Sequence, residues 1–233
     1  MNPLFALSGI DVSKNCTFKP MRKYILGELS KMKTIITIHH TQSVHHTNGM
    51  VGSWTDWDLT ELGINQAINI GKKLQQELSG RAFIMYTSDL KRSKQTADHI
   101  AAYLGLKPIL RNELRERNLG KCCGKSVHWL KENMELQEKT VDDRLFSDAE
   151  SRRDVWNRLK PFFNEIMTNN ERNIIIVSHG DLLSVFYAMF MSLEAESLNH
   201  SEIFGLPGGV SYLHENETGK RIIKKISDMS YIK

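Results

Sequence analysis

Two short apolar runs that each end at a histidine constrain this chain more than any other feature. The first, residues 34–38, leads into His39 and His40, and the second, residues 174–177, leads through a serine into His179. Short β-branched runs between polar residues are typical of buried parallel strands. In open α/β sheets, ligands and chemistry are found at the carboxyl ends of such strands. The sequence therefore predicts that these imidazoles meet above one edge of a sheet and form one site.

The rest of the chain alternates between helical and strand-like patterns. After the first strand the pattern predicts a helix capped by Thr60, a strand over 82–86, and a helix that is capped by Ser88 and Asp89 and ends before Gly105. A strand over 107–110 and two helices, over 127–138 and 148–168, follow. The 173–178 strand then leads into a helix that begins near Asp181, and the last predicted element is a hairpin of 210–214 with 221–226. This alternation predicts an α/β fold: a three-layer α/β/α sandwich with a mainly parallel central sheet.

The chain is predicted to consist of an N-terminal extension, residues 1–32, and one domain, residues 33–233. The extension shows no sustained periodicity, and Met32 directly precedes the first strand. Two interpretations of the extension stay open: a disordered tail, or a start-site artefact. The extension carries +3 of the chain's net charge of +4. The domain is therefore almost neutral overall, which does not favour nucleic acid or an anionic membrane surface as a partner.

Apolar content and cysteine usage narrow the class of protein further. No apolar run approaches the roughly 18 residues that a membrane-spanning helix requires. Cys16, Cys122 and Cys123 form neither a CxxC pair nor an even-numbered disulfide framework, which indicates a reducing compartment. We therefore predict a cytoplasmic protein that binds neither nucleic acid nor membrane. The oligomeric state stays open.

Five sequence blocks occur in the order known from one enzyme family. They are His39-His40-Thr41-Gln42-Ser43, Ser53–Thr60, Tyr86–Ala97, Leu114–Gly120 and Val177-Ser178-His179-Gly180. In this order they resemble the histidine phosphatase superfamily, which includes the cofactor-dependent phosphoglycerate mutases. The resemblance covers about residues 33–215 and implies the phosphoglycerate mutase-like fold.

The resemblance also implies a role for particular residues. His40 is implied as the nucleophile that forms a phosphohistidine, Glu116 as the proton donor, with Glu113 as the second candidate, and His179 as a partner of the phosphoryl oxygens. The implied substrate-binding residues are His39, Arg92, Gln42, Ser43 and Thr41. Neither a cofactor nor a metal is implied. We expect a phosphatase that hydrolyses small phosphomonoesters.

Two residues depart from the family's first motif, Arg-His-Gly. His39 replaces the arginine, and it titrates near neutrality and lacks the guanidinium fork that binds phosphate. Thr41 replaces the glycine and adds a side chain where backbone approaches the ligand. These departures leave open a catalytically impaired protein that binds a phosphorylated ligand or partner. Mutase-type phosphoryl transfer also stays open, because Trp54, Asp56 and Asp58 resemble the mutase loop. Arg117 or Arg115 is a hypothetical substitute for the missing charge.

Two features of the loop after His40, its histidines and its tryptophans, each have two possible functions. His45 and His46 extend the group of histidines and so raise the possibility of a metal site, but no HExxH spacing accompanies them, and we favour a polar loop without metal. Trp54 and Trp57 either line a substrate pocket or pin the loop to the domain.

Overall fold

The structure, a computed structural model, describes residues 32–233; the predicted extension, except Met32, lies outside the described residues. Over residues 32–233 the chain forms a six-stranded sheet in the order β3-β2-β4-β1-β5-β6. The strands are β1 (Lys33–His39), β2 (Ile84–Thr87), β3 (Ile109–Leu110), β4 (Asn173–Ser178), β5 (Val210–Glu215) and β6 (Arg221–Asp228). The first four are parallel to one another, and β5 and β6 form an antiparallel hairpin beside β1. The prediction of a mainly parallel sheet is confirmed.

The two strands that carry the histidines are direct neighbours. β1 pairs with β4 in parallel, with Ile35 opposite Ile174 and His39 opposite Ser178. Because the strands run in the same direction and end at the same level, His40 and His179 leave the sheet side by side. The pairing therefore places the predicted site at the carboxyl edge of the sheet.

Helices cover both faces of this sheet. They are α1 (His45–Asn48), α2 (Glu61–Glu77), α3 (Lys91–Leu104), α4 (Val127–Asn133), α5 (Arg152–Thr168) and α6 (Gly180–Phe190). Side chains alternate between the faces along β4: Ile174 and Ile176 pack in a core with α5 and α6, whereas Ile175 and Val177 pack with α2 and α3. The sheet thus lies between two helical layers, as predicted. No helix among the described residues is long and apolar enough to cross a bilayer.

The predicted helix ends agree only in part with the structure. Thr60 caps α2, because its Oγ1 accepts the Gly63 N–H at 3.0 Å. The prediction that Ser88 and Asp89 cap α3 is wrong. The N-cap residue is Leu90, without a side-chain cap, and the Asp89 carboxylate instead binds a guanidinium from another loop.

Helices α4 and α5 are shorter than predicted. The chain leaves α4 after residue 133 because the Glu135 N–H donates to Leu145 O at 2.9 Å, a contact between two loops. The capping box of Ser151 and Asp154 starts α5 at Arg152 rather than at residue 148. Both differences arise from contacts that a periodic pattern does not encode.

Candidate active site

His40 follows β1 directly and is almost completely buried. Its Nδ1 lies 2.9 Å from the Thr41 carbonyl oxygen. Because a carbonyl only accepts hydrogen bonds, this contact assigns the ring proton to Nδ1. The lone pair is then on Nε2, which accepts a hydrogen bond from Arg92 Nε at 3.1 Å. The imidazole is thus held in the tautomer that presents Nε2 as a nucleophile.

Arg92, the second residue of α3, is a buried cation held by backbone carbonyls. Its Nη1 donates to Thr55 O at 2.9 Å and its Nη2 to Ser53 O at 2.8 Å. Burial lowers the pKa of the guanidinium to about 10, so it stays charged at neutral pH. With Nε directed at His40, a fixed positive charge lies where the oxygens of a phosphoryl group would be bound.

His179 and His39 flank His40 on either side. The ring centroid of His40 is 5.1 Å from that of His179 and 4.8 Å from that of His39. His39 Nδ1 lies 3.1 Å from Gly205 O. Both ring nitrogens of the fully buried His179 lack a hydrogen-bond partner among the described residues. An unpaired buried polar group is costly, so the His179 ring is suited to a ligand that enters the site.

The imidazoles of His39, His40 and His179 are neutral at pH 7. Burial lowers the pKa of His39 to about 3 and the pKa values of His40 and His179 well below the ordinary value. Arg92 and the neighbouring imidazoles contribute to the shift in each case. A neutral His40 is a competent nucleophile. His39, by contrast, does not supply the permanent charge of the family's arginine at this position.

Glu116 lies beside the first turn of α6. Its Oε1 accepts the N–H groups of Arg117 at 2.9 Å and Leu182 at 3.1 Å. Burial, followed by the nearby Asp181 carboxylate, raises the pKa of Glu116 to about 7, although both N–H donors favour the charged form. A carboxyl group with this pKa is able to give and take a proton at neutral pH. Glu113 lies in a 3₁₀ turn over residues 112–114.

Comparison with known proteins agrees with this geometry. The profile of the histidine phosphatase superfamily (branch 1) matches residues 35–227. The chain is also similar to a 2,3-bisphosphoglycerate-dependent phosphoglycerate mutase of Bartonella bacilliformis, with 30% identity over 204 residues that cover 83% of this chain and 97% of that protein. The chain belongs to the histidine phosphatase superfamily.

Two further matches carry the names of phosphatases. A putative phosphoserine phosphatase 2 of Hydrogenobacter thermophilus is 27% identical over 175 residues, which are 72% of this chain and 83% of that one. Among solved structures, a mycobacterial glucosyl-3-phosphoglycerate phosphatase matches with a TM-score of 0.72 and 19% identity, covering 83% of this chain and 98% of that one. The structural match establishes the superfamily's fold for this chain, and the named relatives include both mutases and phosphatases.

Thr41 and Gln42, two predicted substrate-binding residues of the superfamily motif, are bonded to helices. The Thr41 N–H and Oγ1 both contact Thr96 Oγ1, at 3.1 and 3.2 Å. The Gln42 side-chain oxygen accepts from Thr60 Oγ1 at 2.7 Å, at the cap of α2. These contacts fasten the end of β1 to α3 and α2, and they direct both side chains to the scaffold.

Ser43, the third residue of this group, orients two histidines of α1. Its Oγ lies 2.5 Å from His45 Nδ1, and its N–H donates to His46 Nδ1 at 3.2 Å. The His46 ring stacks on the His40 ring at 5.4 Å between centroids, and the His45 and His46 centroids are 4.0 Å apart. Burial lowers the pKa of His45 to about 3 and that of His46 to about 4. The predicted polar loop thus folds back on the nucleophile. We call His39, His40, His45, His46 and His179 the histidine cluster.

Arg117 and Arg115, the hypothetical substitutes for the missing arginine, are engaged with carboxylates. Arg117 Nη1 lies 2.7 Å from Glu138, and its Nε lies 3.3 Å from Asp181. Arg115 Nε lies 2.7 Å from Asp89. These guanidinium charges are balanced by acidic partners, and Arg92 is the guanidinium that contacts His40.

The loop that carries the tryptophans is pinned to the domain. Trp54 Nε1 donates to Glu116 O at 2.6 Å, and Trp57 Nε1 donates to Val51 O at 3.3 Å. Ser53 adopts a positive φ of 52°, and its Oγ donates to Arg117 O at 2.7 Å. The tryptophans therefore fix the loop whose backbone carbonyls hold Arg92. The residue pattern does not reveal this function of the loop, because every residue has a backbone carbonyl.

Residues 201–206 also contribute to the candidate site, and the sequence pattern does not predict this. A Cβ on Gly180 would lie 2.8 Å from the Phe204 ring and 3.2 Å from the His39 ring. The glycine thus lets both rings approach the start of α6. Phe204 remains 54% exposed beside His39 and forms an apolar rim on the site.

Proposed function

We propose that this protein is a phosphatase that hydrolyses small phosphomonoesters through a phosphohistidine on His40. One observation carries the proposal: His40 Nε2, with Nδ1 bonded to the Thr41 carbonyl, faces the buried Arg92 Nε at 3.1 Å. A nucleophilic lone pair beside a fixed cation is the minimum that attack on a phosphoryl group requires.

The first half of the reaction transfers the phosphoryl group to the protein. A phosphoryl oxygen of the substrate accepts the hydrogen bond that Arg92 Nε otherwise donates to His40 Nε2. His40 Nε2 then attacks phosphorus, the bond between phosphorus and the ester oxygen breaks, and Glu116 gives its proton to the departing alkoxide. The raised pKa of Glu116, about 7, supports this role because a large fraction of the group is protonated at neutral pH.

The second half of the reaction releases inorganic phosphate. Water attacks the phosphorus of the phosphohistidine, its proton passes to the Glu116 carboxylate, and the bond to His40 Nε2 breaks. The histidine and the protonated carboxyl group are thereby regenerated. His179 and His39 take up hydrogen-bonding positions on the phosphoryl oxygens, and a dianion beside them raises their pKa values toward the charged form.

A mutase activity is the second candidate, and two observations support it. The Bartonella relative is a mutase by name, and residues 53–60 resemble the mutase loop. We favour hydrolysis because a mutase holds a second phosphorylated ligand, which calls for additional cations, whereas Arg115 and Arg117 are paired with carboxylates. A third alternative for this chain is a protein that binds phosphate without turnover. It is supported by His39 and Thr41, which replace the arginine and the glycine of the superfamily's first motif.

The proposal extends to the partner and the location. We propose a small phosphorylated molecule as the partner, since the site consists of a few polar groups at one strand edge. A cytoplasmic location is supported by Cys122 and Cys123, which are free thiols in the structure.

The decisive experiment measures phosphate release from a panel of phosphomonoesters between about pH 5 and 8, which brackets histidine titration. His40→Ala is compared with His128→Ala, whose imidazole is exposed on α4. Loss of release in the first variant alone, with an acid-labile phosphoadduct in the native protein, supports the phosphatase. Interconversion of phosphoglycerates that depends on 2,3-bisphosphoglycerate would favour the mutase. Phosphate binding without any turnover would favour the third alternative.

A further inference from the structure

Phe204 is an exposed aromatic side chain at the edge of the candidate active site. The other phenylalanines among residues 32–233 are buried or half-buried, whereas Phe204 is 54% exposed. An exposed phenylalanine forgoes the favourable free energy that burial of its side chain would contribute. A ligand that carries an apolar group would cover this ring and recover part of that free energy.

The loop that carries Phe204 is fixed beside His39 by contacts of its backbone. The Gly205 carbonyl oxygen lies 3.1 Å from His39 Nδ1, and the Leu206 N–H donates to Ser227 Oγ at 2.9 Å. The two residues after Phe204 are therefore bound to two different strands, β1 and β6. A ring on a backbone fixed in this way is preorganised, so its packing against a ligand costs little conformational entropy.

The leaving group of a substrate would lie at the same helix end as Phe204. Glu116, the proposed proton donor to the ester oxygen, accepts the N–H groups of Asp181 and Leu182 in the first turn of α6, at 3.3 and 3.1 Å. The Phe204 ring packs against Gly180, the first residue of this helix, where a Cβ would lie 2.8 Å from the ring. Consecutive Cα atoms are about 3.8 Å apart. The proton donor and the apolar ring are thus both close to the start of α6.

The charges at this helix end disfavour an anionic leaving group. Arg117 Nε lies 3.3 Å from Asp181, and Arg117 Nη1 lies 2.7 Å from Glu138. Two carboxylates therefore share one guanidinium, and Glu116 is a third acidic group beside them. A carboxylate or a second phosphate on the leaving group would be repelled by these acidic groups, whereas an uncharged group would not.

We propose that the preferred substrates are phosphomonoesters of uncharged aromatic alcohols, and that Phe204 selects them by packing against the departing alcohol. This inference rests on the proposed phosphatase function and adds the class of leaving group. The uncharged His39 ring beside Phe204 supports it, because an arginine at this position would place a permanent charge next to the apolar ring.

The test compares 2-phenylethyl phosphate with ethyl phosphate, because their alcohols have similar acidity and differ in the aromatic ring. In the native protein kcat/KM should be higher for the aromatic ester by about tenfold or more, since the ring is buried against Phe204. Phe204→Ala should reduce this ratio to about threefold or less, and Phe204→Tyr should retain it. The control is Leu193→Ala, which changes a side chain that is 46% exposed beyond the opposite end of α6 and should keep the native ratio.

Three outcomes would overturn the proposal. They are equal kcat/KM values for the two esters in the native protein, an unchanged ratio in Phe204→Ala, and a higher kcat/KM for 3-phosphoglycerate than for 2-phenylethyl phosphate. The ratio separates packing from an indirect effect on His39, because an indirect effect would lower both rates equally. Since the Phe204 ring is exposed, its variants are expected to fold, and thermal unfolding checks this.

Binding of phosphonates, which are not hydrolysed, separates this inference from the proposed function. 2-Phenylethylphosphonate and ethylphosphonate are titrated calorimetrically into the native protein and into Phe204→Ala. The aromatic ligand should bind the native protein about tenfold more tightly, and the variant should lose most of this difference. If no ester is hydrolysed but the difference is present, the phosphatase function is wrong and the aromatic subsite is supported. Equal affinities would overturn the subsite even if esters are hydrolysed.

Discussion

The ends of β1 and β4 lie side by side but are built in opposite ways. At the end of β1, His40 has a hydrogen bond at each ring nitrogen, and Thr41 is bonded to Thr96. At the end of β4, the fully buried His179 has no partner at either ring nitrogen among the described residues. The scaffold therefore determines the orientation of the nucleophile, whereas it leaves the second histidine unpaired.

This difference indicates that the end of β4 is less stable without a ligand and is suited to bind one. A buried polar group without a partner costs about 1–3 kcal/mol, and a bound phosphate would satisfy it. The end of β1 is thus expected to depend on its hydrogen bonds for stability, and the end of β4 to depend on the ligand. Variants at the two ends should respond accordingly.

The largest expected effect is at Glu116, which is bonded to the first turn of α6 on the β4 side. Glu116→Gln removes the transferable proton and should lower kcat for alkyl phosphates by about 10²- to 10⁴-fold. In the native protein the acid form is lost as pH rises through its pKa of about 7, so activity should fall above that pH. Steady-state rates between pH 5 and 9 measure both effects.

A matched variant and an activated substrate make this prediction specific. Glu113→Gln changes a carboxyl group three residues away and should keep the native pH profile. Aryl phosphates with acidic leaving groups need less proton transfer and should be affected less in Glu116→Gln. An alkaline limb that survives unchanged in Glu116→Gln would assign the titration to another group.

The second-largest expected effect is at His179, and it allows the ends of β4 and β1 to be compared directly. His179→Leu should lower kcat/KM by about 10²-fold, because it removes a donor to the phosphoryl oxygens. The free energy of unfolding of the ligand-free protein should stay equal or rise, because an unpaired polar group is replaced by an apolar one of similar size. Kinetics and urea unfolding of the same protein sample measure both.

Thr41→Val supplies the opposite case at the end of β1. It keeps the side-chain shape but removes the hydroxyl that contacts Thr96 Oγ1 at 3.2 Å. The free energy of unfolding should fall by about 0.5–1.5 kcal/mol, the net contribution of one hydrogen bond, because Thr96 Oγ1 keeps its bonds to the Thr41 N–H and Arg92 O. If His179→Leu destabilises the ligand-free protein more than Thr41→Val does, the contrast between the two ends is incorrect.

The features predicted from the sequence are those that periodicity and strand order determine. The β-branched runs before His40 and His179 predict two buried parallel strands, and their pairing follows from the rules for such sheets. The alternation of elements predicts the three layers. These predictions hold because the apolar pattern is repeated over many residues and controls which face is buried.

The contacts inside the site depend instead on single groups from distant loops. The carbonyls of Ser53 and Thr55 that hold Arg92 have no residue signature. His45 and His46 form a polar loop by composition, and only the path of the chain after β1 brings their rings to His40. The cap of α3 was predicted incorrectly because the Asp89 carboxylate binds Arg115, a partner 26 residues away.

The smallest expected effect concerns His39, where the β1 end lacks the family's permanent charge. Burial lowers the pKa of His39 to about 3, so the ring is neutral at pH 7. His39→Arg adds a cation beside His40, and a charge-assisted hydrogen bond should tighten inorganic phosphate binding by about tenfold. Calorimetric titration at pH 7 measures this affinity, and His39→Gln, a neutral variant, should show no gain.

The pH dependence of phosphate binding separates charge from packing at His39. In the native protein a bound dianion raises the pKa values of the cluster, so binding takes up protons and should strengthen as pH falls. An arginine at position 39 already carries its charge, so His39→Arg should show a weaker dependence on pH. An affinity gain with an unchanged pH slope would mean that other imidazoles take up the protons. No gain at all would mean that Arg92 alone supplies the charge that phosphate requires, and the end of β1 would then be complete without the family's arginine.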